Sequence, residues 1–315
     1  MRSSWSAAPH RPSGWSSRLA AVTGLGTGFF NPASTGLLPQ IVPPEELQPA
    51  NALRSAAVSA GEILGPLLAG LLVAAAGAGW AIAVDSATFL VSALCLVRLR
   101  VPRATDRERA SFLDDLREGW DAFRSRRWVW TFVVYFAIGN TFWGAWTALG
   151  PVVAKEELGG PAAWGTVLAA FGVGALSGSL LATWARPGRP LVLVLACESL
   201  FALPLAFLAA AAPVPVLAIG TYLSGIGMML GMSVWESTLQ RHIPDRWLSR
   251  VTSYDWFGSF AFSPLGLALW GPIAAAIGVG TALWLAFALF IGCVVALLTV
   301  PDVRRLPAEP AAVGG

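Results

Sequence analysis

Charge is scarce in this chain, and reactive side chains are scarcer still. Asp, Glu, Lys and Arg make up 12% of the 315 residues, against roughly 25% in a soluble globular domain, so a water-soluble fold is excluded. Lysine occurs once, at Lys155, and histidine twice, at His10 and His242, neither of them in a long apolar run. No HExxH, GxSxG or phosphate-loop motif is present, and no His/Asp cluster stands at metal-ligand spacing. The chain therefore reads as no enzyme, with no cofactor and no metal. Its three cysteines, Cys95, Cys197 and Cys293, lie far apart inside apolar stretches. They read as buried core thiols, not as a disulfide framework. The formal charge of +3 is too small and too dispersed for a nucleic-acid surface. No apolar block with a small-residue cleavage site precedes Leu19, so no secretory signal is expected.

What the chain has instead is long apolar runs. Trp128–Ala154, Pro161–Ala185, Val214–Trp235, Trp256–Ile277 and Val279–Val300 carry no charge at all. Ser55–Ala76, Trp80–Val97 and Leu191–Ala212 each carry one acid: Glu62, Asp85 and Glu198. Leu19–Val42 carries none, although Asn31, Pro32 and Pro39 interrupt its second half. A bilayer core takes about 20 apolar residues as helix, and helices satisfy their own backbone in lipid. The expected fold is therefore all-α and integral to the membrane, with about nine transmembrane helices. Arginine fixes the orientation. Of 21 Lys and Arg, seventeen fall between alternate spans or after the last, nine of them from Arg98 to Arg127; only Lys155 lies on the other face, and Arg2, Arg11 and Arg18 precede the first span. The arginine-rich face, with the C-terminus, is expected in the cytoplasm of a cell (inner or plasma) membrane. Trp80, Trp128, Trp130, Trp164 and Trp247 stand near span ends as an aromatic belt. Tyr135, Trp143 and Trp146 share one span, where core packing and the lining of an apolar cavity both stand as readings.

The chain also repeats itself. Sliding residues 24–79 by 201 positions lays Gly24, Gly26, Gly65, Gly70, Gly77 and Gly79 on Gly225, Gly227, Gly266, Gly271, Gly278 and Gly280. Chance overlap of the nine and eight glycines in these windows gives about one coincidence, and six occur. Leu38, Pro43 and Leu47 fall on Leu239, Pro244 and Leu248. Glycine and proline mark positions that a shared backbone path dictates. The spans from Trp128 to Ala212 have first-copy partners that would fall mostly before Met1. The expectation is thus a 6+6 protein lacking its first three helices, with a natural nine-span protein as the alternative. The units are an atypical segment 1–18, a partial N-terminal bundle 19–97, a linker 98–127, a six-helix bundle 128–300 and a tail 301–315. In the linker, Phe112, Leu113, Leu116, Trp120 and Phe123 recur at helical spacing opposite Asp114, Arg117, Asp121 and Arg124. This pattern predicts an amphipathic helix on the inner membrane face, with Ser111 and Asp114 as a capping box.

Two parallel six-helix halves joined by such a linker resemble the major facilitator superfamily. The likeness extends to Phe29–Ala33, Leu38–Pro43, Ala50–Leu53, Trp235–Arg241, Leu248–Val251 and Tyr254–Trp256, which look like the enterobactin-exporter-like branch. It runs from about Leu19 to Leu306. Gly61, Gly65, Pro66 and Gly70 are similar to the antiporter motif G-x-x-x-G-P-x-x-G-G of exporters in that superfamily, with Ala69 departing by one methyl. Glycines so spaced make a groove, and the proline bends its helix. Gly178 through Arg189 look like a degenerate echo of the superfamily's Gly/Asp/Arg-rich loop, whose arginines have Glu45 and Glu46 as possible partners. The resemblance implies a secondary active transporter. We expect proton-coupled efflux of small amphipathic molecules, drug- or siderophore-like, by alternating access, from a monomer. The alternative is a truncated remnant that does not transport, or an assembly partner.

An ionisable group inside a span is costly and is by default a functional candidate. Glu62, Asp85 and Glu198 are therefore the candidates for coupling or pathway roles. Glu236 and Asp255 lie nearer the arginine-rich face, and the repeat sets Asp255 on Arg54. Together with Arg241 and Arg250, these form the candidate cytoplasmic gate: ion-pair networks that break on opening, or else fixed bridges from the acids to Arg241 or Arg250.

Overall fold

The computed structural model describes residue 30, residues 33–99 and residues 112–308. The described chain is helical throughout. A helical turn at residues 33–37 and two 3-10 turns, Leu38–Gln40 and Pro44–Glu46, lead into α1, Leu47–Ala76, and α2, Ala78–Arg98. The linker contributes α3, Phe112–Arg124; Ser111, the expected cap, lies outside the described residues. The second unit runs α4 (Arg127–Glu157), α5 (Pro161–Ala182), α6 (Pro190–Ser199), α7 (Ala202–Ala209) and α8 (Val214–His242). It continues through α9 (Asp245–Phe260), α10 (Ser263–Ile277), α11 (Val279–Leu298) and the short α12 (Pro301–Arg305).

Among the described residues, seven stretches are long and apolar enough to cross a membrane, counting α6–α7 and α9–α10 as one each. The 30-residue α1, at 1.5 Å per residue, reaches about 45 Å and is also long enough. The expected first span, Leu19–Val42, falls largely outside the described residues, and its helical part ends at Leu37, where Pro39 opens the 3-10 turn. Four other expected spans differ in extent from their helices. α1 begins eight residues before Ser55, and α8 continues seven residues beyond Trp235, so both project past the apolar run toward the arginine-rich face. The run Leu191–Ala212 is two helices. Pro204 has no N–H for the Leu200 carbonyl, and the chain tightens there through Phe201 N–H to Glu198 O (3.0 Å) and Leu203 N–H to Leu200 O (3.1 Å). Likewise the expected span Trp256–Ile277 is the second part of a longer rod, Asp245–Ile277, broken at Ala261–Phe262 just ahead of Pro264.

The sequence repeat has a backbone counterpart. α1 ends at Ala76 and α10 at Ile277, 201 residues later; α2 begins at Ala78 and α11 at Val279, again 201 apart. The joint between them is Gly77 (φ 88°) in one copy and Gly278 (φ 86°) in the other. That left-handed conformation is open to glycine at little cost. The copies differ inside the helix, where α1 is continuous and the α9–α10 rod is broken.

Helix–helix contact is closest where glycines let backbones touch. A Cβ on Gly174 or Gly178 of α5 would collide with the carbonyls of Tyr222 and Ile226 on α8, and one on Gly225 with that of Phe171. A Cβ on Gly144 of α4 would meet the Gly266 backbone of α10, and one on Gly266 would meet Thr141. Small residues at such crossings are how helices gain dispersion contact without a hydrophobic driving force between them. Trp270 Nε1–H adds a bond to the Thr141 carbonyl at 2.7 Å. Across the linker, α1 lies against α5 and α8, while α2 packs on α1 and leaves Trp80, Ile82, Phe89 and Leu90 more than 60% exposed, as a lipid-facing helix would.

Candidate functional site

Trp235 organises the interior of the second unit. It is 2% exposed and stacks on Phe132 at 5.1 Å, with Phe136 at 5.3 Å and Trp128 at 5.7 Å. Its indole N–H donates to Asp255 Oδ2 at 3.0 Å. Ser259 Oγ donates to the other carboxylate oxygen at 3.3 Å. Asp255 thus stands one turn ahead of the end of α9 and its break, held by two neutral donors and no cation among the described residues. Beside it opens a cavity of about 340 Å³ between α4, α6, α8, α9 and α11, within the range of small-molecule sites. Eight of its eighteen lining residues are aromatic. Glu198 and Asp255 supply its charges, Asn140, Ser224 and Ser259 its neutral polar groups, and Met228 and Met232 a deformable side.

A second arrangement faces it across α8. Polar residues of α1 at helical spacing meet polar residues of α8 and seal the two halves together. Asn51 Nδ2 donates to Ser237 Oγ at 3.1 Å and also bonds Gln240. Gln48 Nε2 donates to the Ala182 carbonyl at 3.0 Å and to that of Ala185. Ser233 Oγ bonds Ser55 Oγ at 3.1 Å. Gln240 Nε2 reaches the Thr35 carbonyl at 3.2 Å. Arg54 pairs with Glu236, which is 2% exposed. The stripe continues to Ser59, whose hydroxyl is buried without a partner, and Glu236 Oε2 is likewise unsatisfied. A buried polar atom left unpaired costs about 1–3 kcal/mol, so this seam is costlier than an apolar contact of equal area.

Residues 15–265 match the profile described as the Major Facilitator Superfamily. The chain belongs to the major facilitator superfamily. This major facilitator protein is a multi-pass membrane protein of a transporter family and not an enzyme. It is similar to an MFS-type transporter of Sinorhizobium fredii, with 30% identity over 75% of this chain and 60% of the relative. It is also similar to macrolide efflux protein A of Streptococcus pyogenes, with 22% identity over 90% of this chain and 72% of the relative. A protein of the same name from Enterococcus faecalis is 23% identical over about half of each chain. The chain therefore spans between about half and three quarters of the length of these relatives.

The site residues expected from sequence separate into groups. Glu198 and Asp255 share the cavity. Asp255 makes no ion pair with Arg241 or Arg250; it is held by Trp235 and Ser259 because its turn of α9 faces the bundle interior, whereas Arg250 is turned to the linker and meets Glu118 Oε2 at 2.8 Å. Arg54 and Glu236 meet each other in the seam. Arg241 lines a smaller cavity of about 220 Å³ with Arg186 and Gln48. Arg186 donates to the carbonyls of Thr183 (3.1 Å) and Ala185 (2.9 Å), so its described partners are these helix-end carbonyls and not Glu45 or Glu46. Asp85 is exposed on α2, away from both cavities. The side chains of Glu62 and Pro66 and the surroundings of Gly70 lie outside the described residues. Gly61 and Gly65 of the antiporter-like motif have nothing among the described residues within 4 Å of where a Cβ would stand. Of the aromatics, Tyr135 and Trp143 line the cavity, while Trp146 packs on Trp164 at 4.8 Å. Trp128 is core, not belt, because it fills the space beside Trp235 and His242.

Sequence reasoning passed over Gln48, Ser55, Ser233, Ser237 and Gln240. The signal was present as polar residues three, four and seven apart on otherwise apolar helices. Hydroxyls and amides in such helices usually bond their own backbone, so nothing local marked these as inter-helical.

Proposed function

We propose that this chain acts in efflux of small amphipathic molecules by alternating access, coupled to protons, in the enterobactin-exporter-like branch of its superfamily. The observation that carries the reading is the pairing of an aromatic-rich cavity holding two carboxylates with a polar seam that joins the halves beside it. The cavity receives substrate. The seam, with Arg54 and Glu236 at its centre, closes the arginine-rich side, which faces the cytoplasm of the cell membrane. Polar contacts suit this role because each partner regains hydrogen bonds from water when the halves part, so the interface is closed without being locked. Glu198 is the leading proton carrier among the described acids, being half-buried in the cavity at the α6–α7 break. The similarity to proteins named for macrolide efflux supports export and leaves the substrate open.

The test is accumulation of a fluorescent amphipathic dye in an efflux-deficient bacterium expressing the 315-residue chain. Steady-state dye should fall at least threefold relative to Glu198→Gln at equal expression, and a protonophore should abolish the difference. Equal accumulation with and without the chain would refute the proposal and favour the non-transporting remnant.

A further inference from the structure

The smaller cavity holds positive charge with nothing to balance it. It measures about 220 Å³ and lies at the arginine-rich end of the seam, where the start of α1, the α5–α6 joint and the end of α8 meet. Arg186 and Arg241 line it, and no carboxylate does. Arg241 is half-buried and has no hydrogen bond or ion pair among the described residues. Arg186 donates through Nη1 to the Thr183 and Ala185 carbonyls, while its Nη2 and Nε donate to no described group.

The neutral donors of the wall are already committed. Gln48 Nε2 donates to the Ala182 and Ala185 carbonyls. The Ser237 and Thr238 hydroxyls donate back along α8 to Ser233 and Val234, at 2.7 Å each. The side-chain donors left for a ligand are therefore guanidinium N–H groups. Two guanidiniums in one cavity repel each other, and neither loses its charge by deprotonation. An anion between them relieves both the repulsion and the cost of a half-buried charge. A guanidinium fork matches oxyanions, and a phosphate has oxygens enough for two forks at once, where a carboxylate has one edge. Basic pockets between membrane helices are sites for phosphate headgroups. At about 220 Å³ the cavity is below the range of whole drug-sized sites and suits a phosphate with a short substituent.

We propose that this cavity binds a phosphate group between Arg186 and Arg241, carried by an anionic lipid or by a soluble phosphate. Gln48 comes from α1 and both arginines from the second unit, so parting the seam opens the site. Occupancy therefore favours the closed seam, because the ligand binds that state better. This site lies outside the substrate cavity and does not depend on the efflux reading.

The experiment is thermal unfolding of the purified full chain in detergent at fixed ionic strength, followed by tryptophan fluorescence. One series replaces chloride by inorganic phosphate, a second adds phosphatidylglycerol to the micelles, and a third adds phosphatidylcholine of the same chains. A saturable rise in Tm of about 4 °C is expected from phosphate or from phosphatidylglycerol, and the series that produces it names the source. Arg241→Gln should remove the rise, as should Arg186→Gln, which changes an exposed side chain and leaves the fold intact. Arg189→Gln, outside the cavity, should keep it. In a chain whose only cysteine replaces Ser55, occupancy should slow labelling by a polar maleimide about threefold; unchanged labelling at full occupancy would overturn the link to the closed seam. No saturable rise in either series, an undiminished rise in both Arg186→Gln and Arg241→Gln, or an equal response to phosphatidylcholine with none to inorganic phosphate would each overturn the site. So would a rise seen only in Glu309→Gln, one residue beyond the lining Ala308, since the cavity then belongs to the chain's own tail.

Discussion

Removing the guanidinium of Arg54 isolates a carboxylate that has almost no route to water. Glu236 is 2% exposed and Arg54 26%, so Arg54→Met takes the only cation from a group buried between α1 and α8. Breaking a buried pair from one side costs about 3–5 kcal/mol. Because the arginine end is partly open to solvent, the lower figure applies, about 3 kcal/mol. At 2–4 °C per kcal/mol for chains of this order of size, Tm should fall by about 8 °C. The double variant Arg54→Met with Glu236→Leu replaces the pair by apolar groups of similar volume and should return to within about 1 kcal/mol of wild type. Glu236→Gln alone should cost less than Arg54→Met, since the stranded arginine reaches water. The assay is thermal unfolding of the purified protein followed by tryptophan fluorescence, arranged as a double-mutant cycle. The same weakening should part the seam. A Ser55→Cys probe, with Cys95, Cys197 and Cys293 replaced by alanine, should react with a polar maleimide several-fold faster once Arg54 is Met. A Tm loss below about 2 °C, or a double variant no better than Arg54→Met, would refute the assignment of Arg54 and Glu236 as a buried, coupled pair.

Four further outcomes are expected. Gly174→Leu and Gly178→Leu should each abolish monodisperse protein on size exclusion, because a side chain there meets the α8 backbone. Gly61→Ala and Gly65→Ala should leave Tm within about 2 °C of wild type, since nothing described lies within 4 Å; loss of dye export in these variants at normal Tm would place the antiporter-like motif in function instead of packing. Trp235→Phe keeps the aromatic stack and deletes the 3.0 Å bond to Asp255; a hydrogen bond to a charged group contributes about 1.5–3 kcal/mol, so Tm should fall by about 6 °C in thermal unfolding. Lys155 is the only lysine and is exposed at the end of α4; an impermeant amine reagent should label it in intact cells, and labelling only after permeabilisation would reverse the proposed orientation.

The fold was legible because the bilayer imposes it. Runs of about 20 apolar residues in a chain with so few charges leave helices as the answer. Glycine spacing carried the duplication down to the single joint residues Gly77 and Gly278, since only glycine enters their left-handed conformation at little cost. Helix ends were read less well. The apolar run marks where lipid begins and not where hydrogen bonding stops, so α1 and α8 continue past Ser55 and Trp235 into the polar seam. The two broken rods were written in Pro204 and Pro264, but proline also sits unbroken within α4 and α10, at Pro151 and Pro272, and its presence alone does not tell the two apart.

Sequence by itself determined that the chain is a membrane helix bundle with a duplicated backbone plan, and it singled out each acid within a long apolar run, because a charge in lipid is costly whatever the sequence around it. Tertiary structure decided what each described acid meets. Glu236 meets Arg54 at a separation of 182 residues, Asp255 turns to Trp235, Glu198 opens onto the cavity, and Asp85 is left exposed on α2. Those fates depend on which face of each helix meets which neighbour. The crossings that set this, Gly174 against Tyr222 and Gly144 against Gly266, join residues distant in the chain, and no local pattern of residues specifies them.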